Sequence, residues 1–145
     1  RRPVIAKLSP NVARIEPLAR AAEDAGADAV SLVNTFIALA VDARTRRPRL
    51  GGGFGGLSGP AIKPLALRLV YEAARAATIP VIGMGGIASG EDAAEFLVAG
   101  ASAVEVGTAN FWDPTASVRI AHELEDFLRR QGSASVRDIV GTLEL

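Results

Sequence analysis

PVIAKLS (residues 3–9), followed by a helix-like segment and AGADAV (residues 25–30), recurs as PVIGMGG (residues 80–86), a second helix-like segment and AGASAV (residues 99–104). Each copy reads strand, helix, glycine turn, strand, so two βαβ units stand in tandem. Four strands are predicted at residues 3–8, 29–35, 80–85 and 103–109. All are rich in β-branched residues and none alternates cleanly with polar ones, as in parallel sheets covered on both faces. Helices are predicted over residues 15–25, 62–77, 90–99 and 115–130. The second carries Ala66, Leu69, Val70, Ala73, Ala74 and Ala77 at helical spacing. Ser89 with Asp92 three residues on is close to a capping box for the third helix, and Gly100 lies just past its end. Pro114 opens the fourth, and Gly132 lies beyond it.

Parallel strands with right-handed crossovers leave a doubly wound sheet or a (βα)8 barrel. Position favours the barrel, because each polar or glycine-rich cluster follows the C-terminal end of a strand, where barrels keep their sites. A full barrel takes about 250 residues, so four βα units make about half of one. The expected fold class is α/β, half of a TIM (βα)8 barrel in a single domain. The chain enters an apolar strand directly from Arg1, as a fragment would.

Sixteen basic residues balance sixteen acidic ones, which removes the charge footprint of a nucleic-acid or anionic-membrane binder. A phosphate would have to be gripped locally. The absence of cysteine excludes disulfides, thiolate metal sites and a thiol nucleophile within this sequence, and fits a cytoplasmic home. No stretch approaches the roughly 20 apolar residues that span a bilayer. The single histidine, His122, falls in the last helix and reads as a surface residue, so a metal site or a Ser/His triad has little support.

Lys7 is a cation near the end of an apolar strand, where the repeat has Met84. It reads either as a snorkelling lysine or as a fixed donor to an electron-rich cofactor. Asn34 and Thr35 end the second strand, as a turn or as a recognition edge for a planar heterocycle. GGGFGGLSGP (residues 51–60) holds six glycines in ten residues, either a flexible flap or backbone brought close to a ligand above the barrel mouth. DARTRRP (residues 42–48) reads as a solvated basic excursion or a subunit contact. Gly85 and Gly86 after the third strand, with Gly107 and Thr108 after the fourth, form the most specific local signal. Loops after the last two barrel strands commonly make a phosphate site from backbone N–H groups. Glu91 and Asp92 would repel an anion on the third helix axis. The anion is therefore expected between the two loops, toward residues 109–113.

In this order, PVIAKLSPN, SLVNT, GGLSGPAIKP, IPVIGMGGI and GTANFWDP resemble the motifs of class 1 dihydroorotate dehydrogenases, most closely class 1B. The resemblance covers nearly the whole chain and implies that these are barrel strands five to eight, the C-terminal half, with the N-terminal half absent. It implies FMN as cofactor, contacted by Lys7, Val33, Gly59, Gly85, Gly86, Gly107 and Thr108, with the last four at its phosphate. Asn34 and Thr35 would hold dihydroorotate or orotate. The chain departs from the family at Ala38-Leu39, where Gly-Met is common, and at Gly52-Gly53, where an Asn is common. The implied reaction removes a proton from dihydroorotate and passes a hydride to FMN, in pyrimidine biosynthesis. The family's base is a cysteine of the N-terminal half, so no catalytic residue is expected in this chain. Electrons would pass to a partner subunit carrying FAD and a 2Fe–2S cluster, and on to NAD+, in an assembly built on a homodimer. Two alternatives stay open: a half-barrel that binds FMN or another phosphate ligand without catalysis, and a reductase like dihydropyrimidine dehydrogenase.

Overall fold

The computed structural model describes residues 2–145. The chain runs β1 (Ile5–Lys7), α1 (Glu16–Asp24), β2 (Ala29–Leu32), β3 (Phe36–Leu39), β4 (Val41–Asp42), β5 (Arg47–Pro48), β6 (Phe54–Leu57), α2 (Lys63–Ala76), β7 (Val81–Met84), α3 (Gly90–Val98), β8 (Ala103–Glu105), α4 (Ala109–Trp112) and α5 (Ala116–Arg130). One-turn 3-10 helices lie at Pro60–Ile62 and Val136–Asp138. The four anticipated strands pair in parallel in the order β1-β2-β7-β8, with Lys7 opposite Ser31, Leu32 opposite Gly83 and Gly83 opposite Val104. Spatial order follows chain order without reversal. A doubly wound sheet needs a reversal to place helices on both faces, so this one is singly wound, as in a barrel.

Ala6, Val30, Leu32, Val81 and Val104 pack against Ile15, just before α1, and helix residues Ala19, Ala66, Leu69, Val70 and Phe96 in one core. The edge strands β1 and β8 are exposed, half-buried, exposed along their length, so their second face is uncovered. Val4 and Ile5 remain 54% and 53% exposed. Open parallel edges and apolar surface favour association. The 145-residue chain on its own is therefore expected to self-associate; a monodisperse monomer by light scattering would contradict this.

Helix ends follow local chemistry. The Ser89 hydroxyl accepts the Asp92 amide at 3.1 Å while Asp92 accepts the Ser89 amide at 2.9 Å, completing the anticipated capping box. Gly100 leaves α3 at φ 115°, which an L side chain rarely adopts. Several predicted boundaries shift: the first strand shortens to Ile5–Lys7, and the second ends at Leu32 rather than residue 35. The last strand ends at Glu105 rather than residue 109, and the segment before α5 forms the separate short helix α4.

Residues 36–57 were expected as connection and hold two antiparallel ribbons. β3 pairs with β6, Phe36 opposite Leu57 and Leu39 opposite Phe54, and β4 pairs with β5. FGGL lacks the β-branched run that marks a strand. Its glycines fit close quarters instead: a Cβ on Gly56 would collide with the Thr35 side chain, and one on Gly55 with Leu50. The basic excursion is the tip of β4–β5. Asp42 accepts the amides of Arg44 and Thr45 at 2.8 and 3.2 Å, and Arg44, Arg46 and Arg47 are exposed.

Candidate functional site

The C-terminal ends of all four parallel strands converge on one cleft of ≈ 330 Å³. Its lining contains every residue expected to contact cofactor or substrate: Lys7, Val33, Asn34, Thr35, Gly59, Gly85, Gly86, Gly107 and Thr108. Ser58, Ile62, Met84, Ile87, Glu105, Val106 and Ala109 complete it. Of these, Glu105 is the residue that sequence reasoning missed although a signal was there, since an acid inside the apolar run AVEVG is the same anomaly as Lys7. His122 is exposed on α5. Among the described residues no cluster of three or more His, Asp or Glu could hold a metal ion, and no helix is long and apolar enough to cross a membrane.

Lys7 is exposed at the end of β1 and faces the cleft. Asn34 and Thr35 follow β2 and the buried Val33, whose amide donates to Met84 O at 3.0 Å. The peptide joining Leu32 to Val33 is cis. Asn11 ties the loops after β1 and β2 together: its Nδ2 donates to Thr35 O at 2.9 Å and its Oδ1 accepts the Ile37 amide at 2.8 Å. Asn34 Oδ1 accepts the Ser9 hydroxyl at 3.4 Å, and its Nδ2 has no acceptor among the described residues. An amide held through its oxygen with a free donor beside a cleft can bind a ligand carbonyl.

The glycines differ in what they do. Gly85 at φ 129° would place a Cβ 2.7 Å from Ala66 Cβ, and Gly86 at φ 83° would place one 2.8 Å from Gly59 O and 2.9 Å from Lys63 N. Both are required by the fold itself. Gly107 is different, because a Cβ there meets nothing within 4 Å. The chain leaves room at Gly107 on a surface that faces the cleft. The amides of Gly86, Gly107 and Thr108 donate to no acceptor among the described residues. Unclaimed N–H groups at adjoining loops form a nest that suits an anion without a formal charge nearby. A phosphate therefore fits the donor set and the space.

The two loops are braced from behind. Lys63 donates to Asp92 Oδ1 at 2.6 Å and to Glu95 Oε1 at 2.9 Å, joining α2 to α3 beneath Gly86. Burial pushes the Asp92 carboxyl up, but bonds from Lys63, the Ala88 amide and Ser89 outweigh it and hold it below its ordinary value. The repulsion expected from Asp92 is thus offset by Lys63 and the cap. Arg119 spans both loops, donating to Asp113 Oδ2 at 3.0 Å, Glu123 Oε1 at 2.7 Å and Ala88 O at 3.2 Å. The Arg119 bond and the Gly90 amide lower the Glu123 pKa, and bonds from Thr115 and Arg119 lower that of Asp113.

Carboxylates depressed in the fold stabilise it above their unfolded pKa of about 4, and that stability is lost as pH falls through the folded values. Thermal unfolding from pH 6 to pH 3 is expected to show a falling midpoint, with a shallower acid limb in Asp92→Asn. An identical limb in that variant would show that Asp92 contributes nothing to the acid sensitivity.

Residues 1–128 match a family model described as Dihydroorotate dehydrogenase. A Solibacter usitatus chain provisionally named dihydroorotate dehydrogenase A (fumarate) is 74% identical over 143 residues, 99% of this chain and 47% of its own length. The Geobacter metallireducens dihydroorotate dehydrogenase B (NAD(+)), catalytic subunit, is 56% identical over 144 residues, again 99% of this chain and 47% of the relative. The chain thus spans about half the length of the curated relatives it matches. The crystal structure of DHODH in complex with ferulenol from Eimeria tenella superposes with TM-score 0.82 at 29% identity, covering 98% of this chain and 38% of that one. The parallel four-stranded sheet accordingly matches part of a TIM barrel. With a family model matched over most of its length and the strand ends gathered on one cleft, the chain belongs to the dihydroorotate dehydrogenase family.

Proposed function

We propose that this chain provides the FMN site and one edge of the substrate site for oxidation of dihydroorotate to orotate in pyrimidine biosynthesis. The observation that carries the reading is the meeting of Lys7, Asn34 and Thr35 in one cleft with the unclaimed amides around Gly107. In this reading Gly85, Gly86, Gly107 and Thr108 hold the FMN phosphate through neutral amides. Val33 and Gly59 line the ring system, and Lys7 presents its ammonium to the electron-rich part of the flavin. FMN would supply the hydride acceptor. Asn34 and Thr35 orient the substrate ring, Asn34 through its free Nδ2. The chain has no cysteine, so the proton-abstracting base is assigned to the other half of a barrel in which residues 1–145 form strands five to eight.

The native polypeptide carrying this sequence should purify with FMN, and dihydroorotate should bleach it anaerobically; a protein that binds flavin and is not reduced would leave the binding reading and sink the catalytic one. Lys7→Ala is expected to slow flavin reduction by roughly 100- to 1,000-fold, the scale of one lost electrostatic donor. FMN affinity should change by less than about threefold, because the phosphate grip is untouched. Equal losses in both would remove the role given to Lys7.

For the electron acceptor, the resemblance to class 1B implies the NAD-linked type, with a homodimer docked to a subunit carrying FAD and a 2Fe–2S cluster. The Geobacter relative's name supports it. The name of the 74% identical Solibacter relative favours a second reading, direct use of fumarate. Steady turnover with fumarate in the absence of any partner subunit would decide for the second.

A further inference from the structure

Asn110 lies in α4, three residues after Gly107 and four after Val106, and its side chain reaches back to the loop that follows β8. Its Nδ2 donates to Val106 O at 2.9 Å and to Gly107 O at 3.2 Å. Its Oδ1 accepts the Ser117 hydroxyl at 3.0 Å and the Ser117 amide at 3.3 Å, from the start of α5. Donor and acceptor ends are both occupied, so the orientation of the amide is fixed by its partners.

In a trans peptide the carbonyl and the following N–H point in opposite directions. Holding the Val106 and Gly107 carbonyls on the Asn110 side therefore turns the N–H groups of Gly107 and Thr108 the other way. Those two N–H groups have no acceptor among the described residues, and both residues line the cleft. Asparagine in a helix normally competes with the backbone for its hydrogen bonds. In α4 that competition shapes the loop, because it captures the Val106 carbonyl, which a leucine or alanine would leave free to rotate, whereas the Gly107 carbonyl also accepts the Asn110 backbone amide at 3.0 Å.

We propose that Asn110 is a positioning residue for the phosphate: through the Val106 carbonyl its side chain aims the Gly107 amide and so sets the preference for a phosphorylated flavin over the unphosphorylated one. The inference rests on the FMN reading above. It touches neither flavin nor substrate and acts only through the loop backbone.

The test uses the native polypeptide, with FMN and riboflavin affinities measured by flavin fluorescence. Wild type should prefer FMN. Asn110→Leu keeps the side-chain volume and removes the donors; it is expected to weaken FMN about tenfold or more. Riboflavin should stay within about twofold, since the ring contacts remain. Asn110→Ser can donate to the carbonyl four residues back and should recover part of the preference. A parallel loss of FMN and riboflavin, or an unchanged ratio, in Asn110→Leu overturns the proposal. Where the leucine variant does not fold, the serine variant is read alone against a ratio expected below wild type, and an unchanged ratio there overturns the proposal equally. A wild type that binds riboflavin as tightly as FMN overturns the FMN reading itself, and the role of Asn110 with it.

Discussion

Gly86→Ala is expected to destabilise the fold by about 2–4 kcal/mol, combining the strain of a positive φ with an over-packed contact. At φ 83° an alanine is strained wherever there is space, and here there is none: the new Cβ would lie 2.8 Å from Gly59 O and 2.9 Å from Lys63 N. Both neighbours are backbone, at the N-terminal end of α2, and Lys63 is itself anchored to Asp92 and Glu95. They have no rotamer in which to retreat. Gly107→Ala should behave in the opposite way. Its Cβ meets nothing within 4 Å, so stability should stay within about 0.5 kcal/mol of wild type, as at an ordinary surface position. A larger residue such as valine at 107 should leave the urea midpoint of the ligand-free protein in place while removing FMN retention. Flavin binding that survives valine at 107 would show that the cradle lies elsewhere in the cleft. Equal unfolding midpoints for Gly86→Ala and wild type would show that the loop yields more readily than its contacts imply.

Phe96→Ala should cost about 3–5 kcal/mol, the range for removing a buried aromatic and leaving its cavity. Phe96 is the largest of the fully buried side chains, at 0% exposure. Its ring fills the socket made by Gly83 in the middle of β7, where an added Cβ would sit 2.7 Å from Phe96 Cδ1 and 3.1 Å from Ala101 Cβ. The glycine in PVIGMGG is therefore a packing device for α3, two residues before the loop that lines the cleft. Domains are stable by only about 5–15 kcal/mol, so this single truncation removes a large share. It should also weaken flavin binding indirectly, by loosening α3 under the loop of residues 85–89. A denaturation midpoint that implies a loss under about 1 kcal/mol would mean that α3 and α5 collapse to fill the space.

Much of the site was legible because its markers are local. Lys7 stands out against an apolar strand, and the glycine pairs stand at strand ends, so topology alone brings them to one rim. Glu105 carried the same mark as Lys7. Asn110 and Asn11 carried none, since an asparagine in a loop motif looks alike whether it caps a turn or holds carbonyls that line a ligand cleft. Lys63 was likewise silent, as was the bond from Arg119 to Ala88 O: these partners lie about thirty residues away, and no spacing rule pairs them. The β3–β6 ribbon was hidden because two of the four residues in FGGL are glycines, which carry no strand propensity.

The sequence by itself determined the alternation of strand and helix, the capping box of α3 and the side of the sheet on which polar residues gather, because periodicity, caps and strand ends are properties of neighbouring residues. Only the tertiary structure decided that Gly85 and Gly86 are demanded by packing while Gly107 is left open toward the cleft. That distinction depends on which atoms of distant segments approach each glycine, and the chain brings them there only when β7, β8 and α2 are packed together.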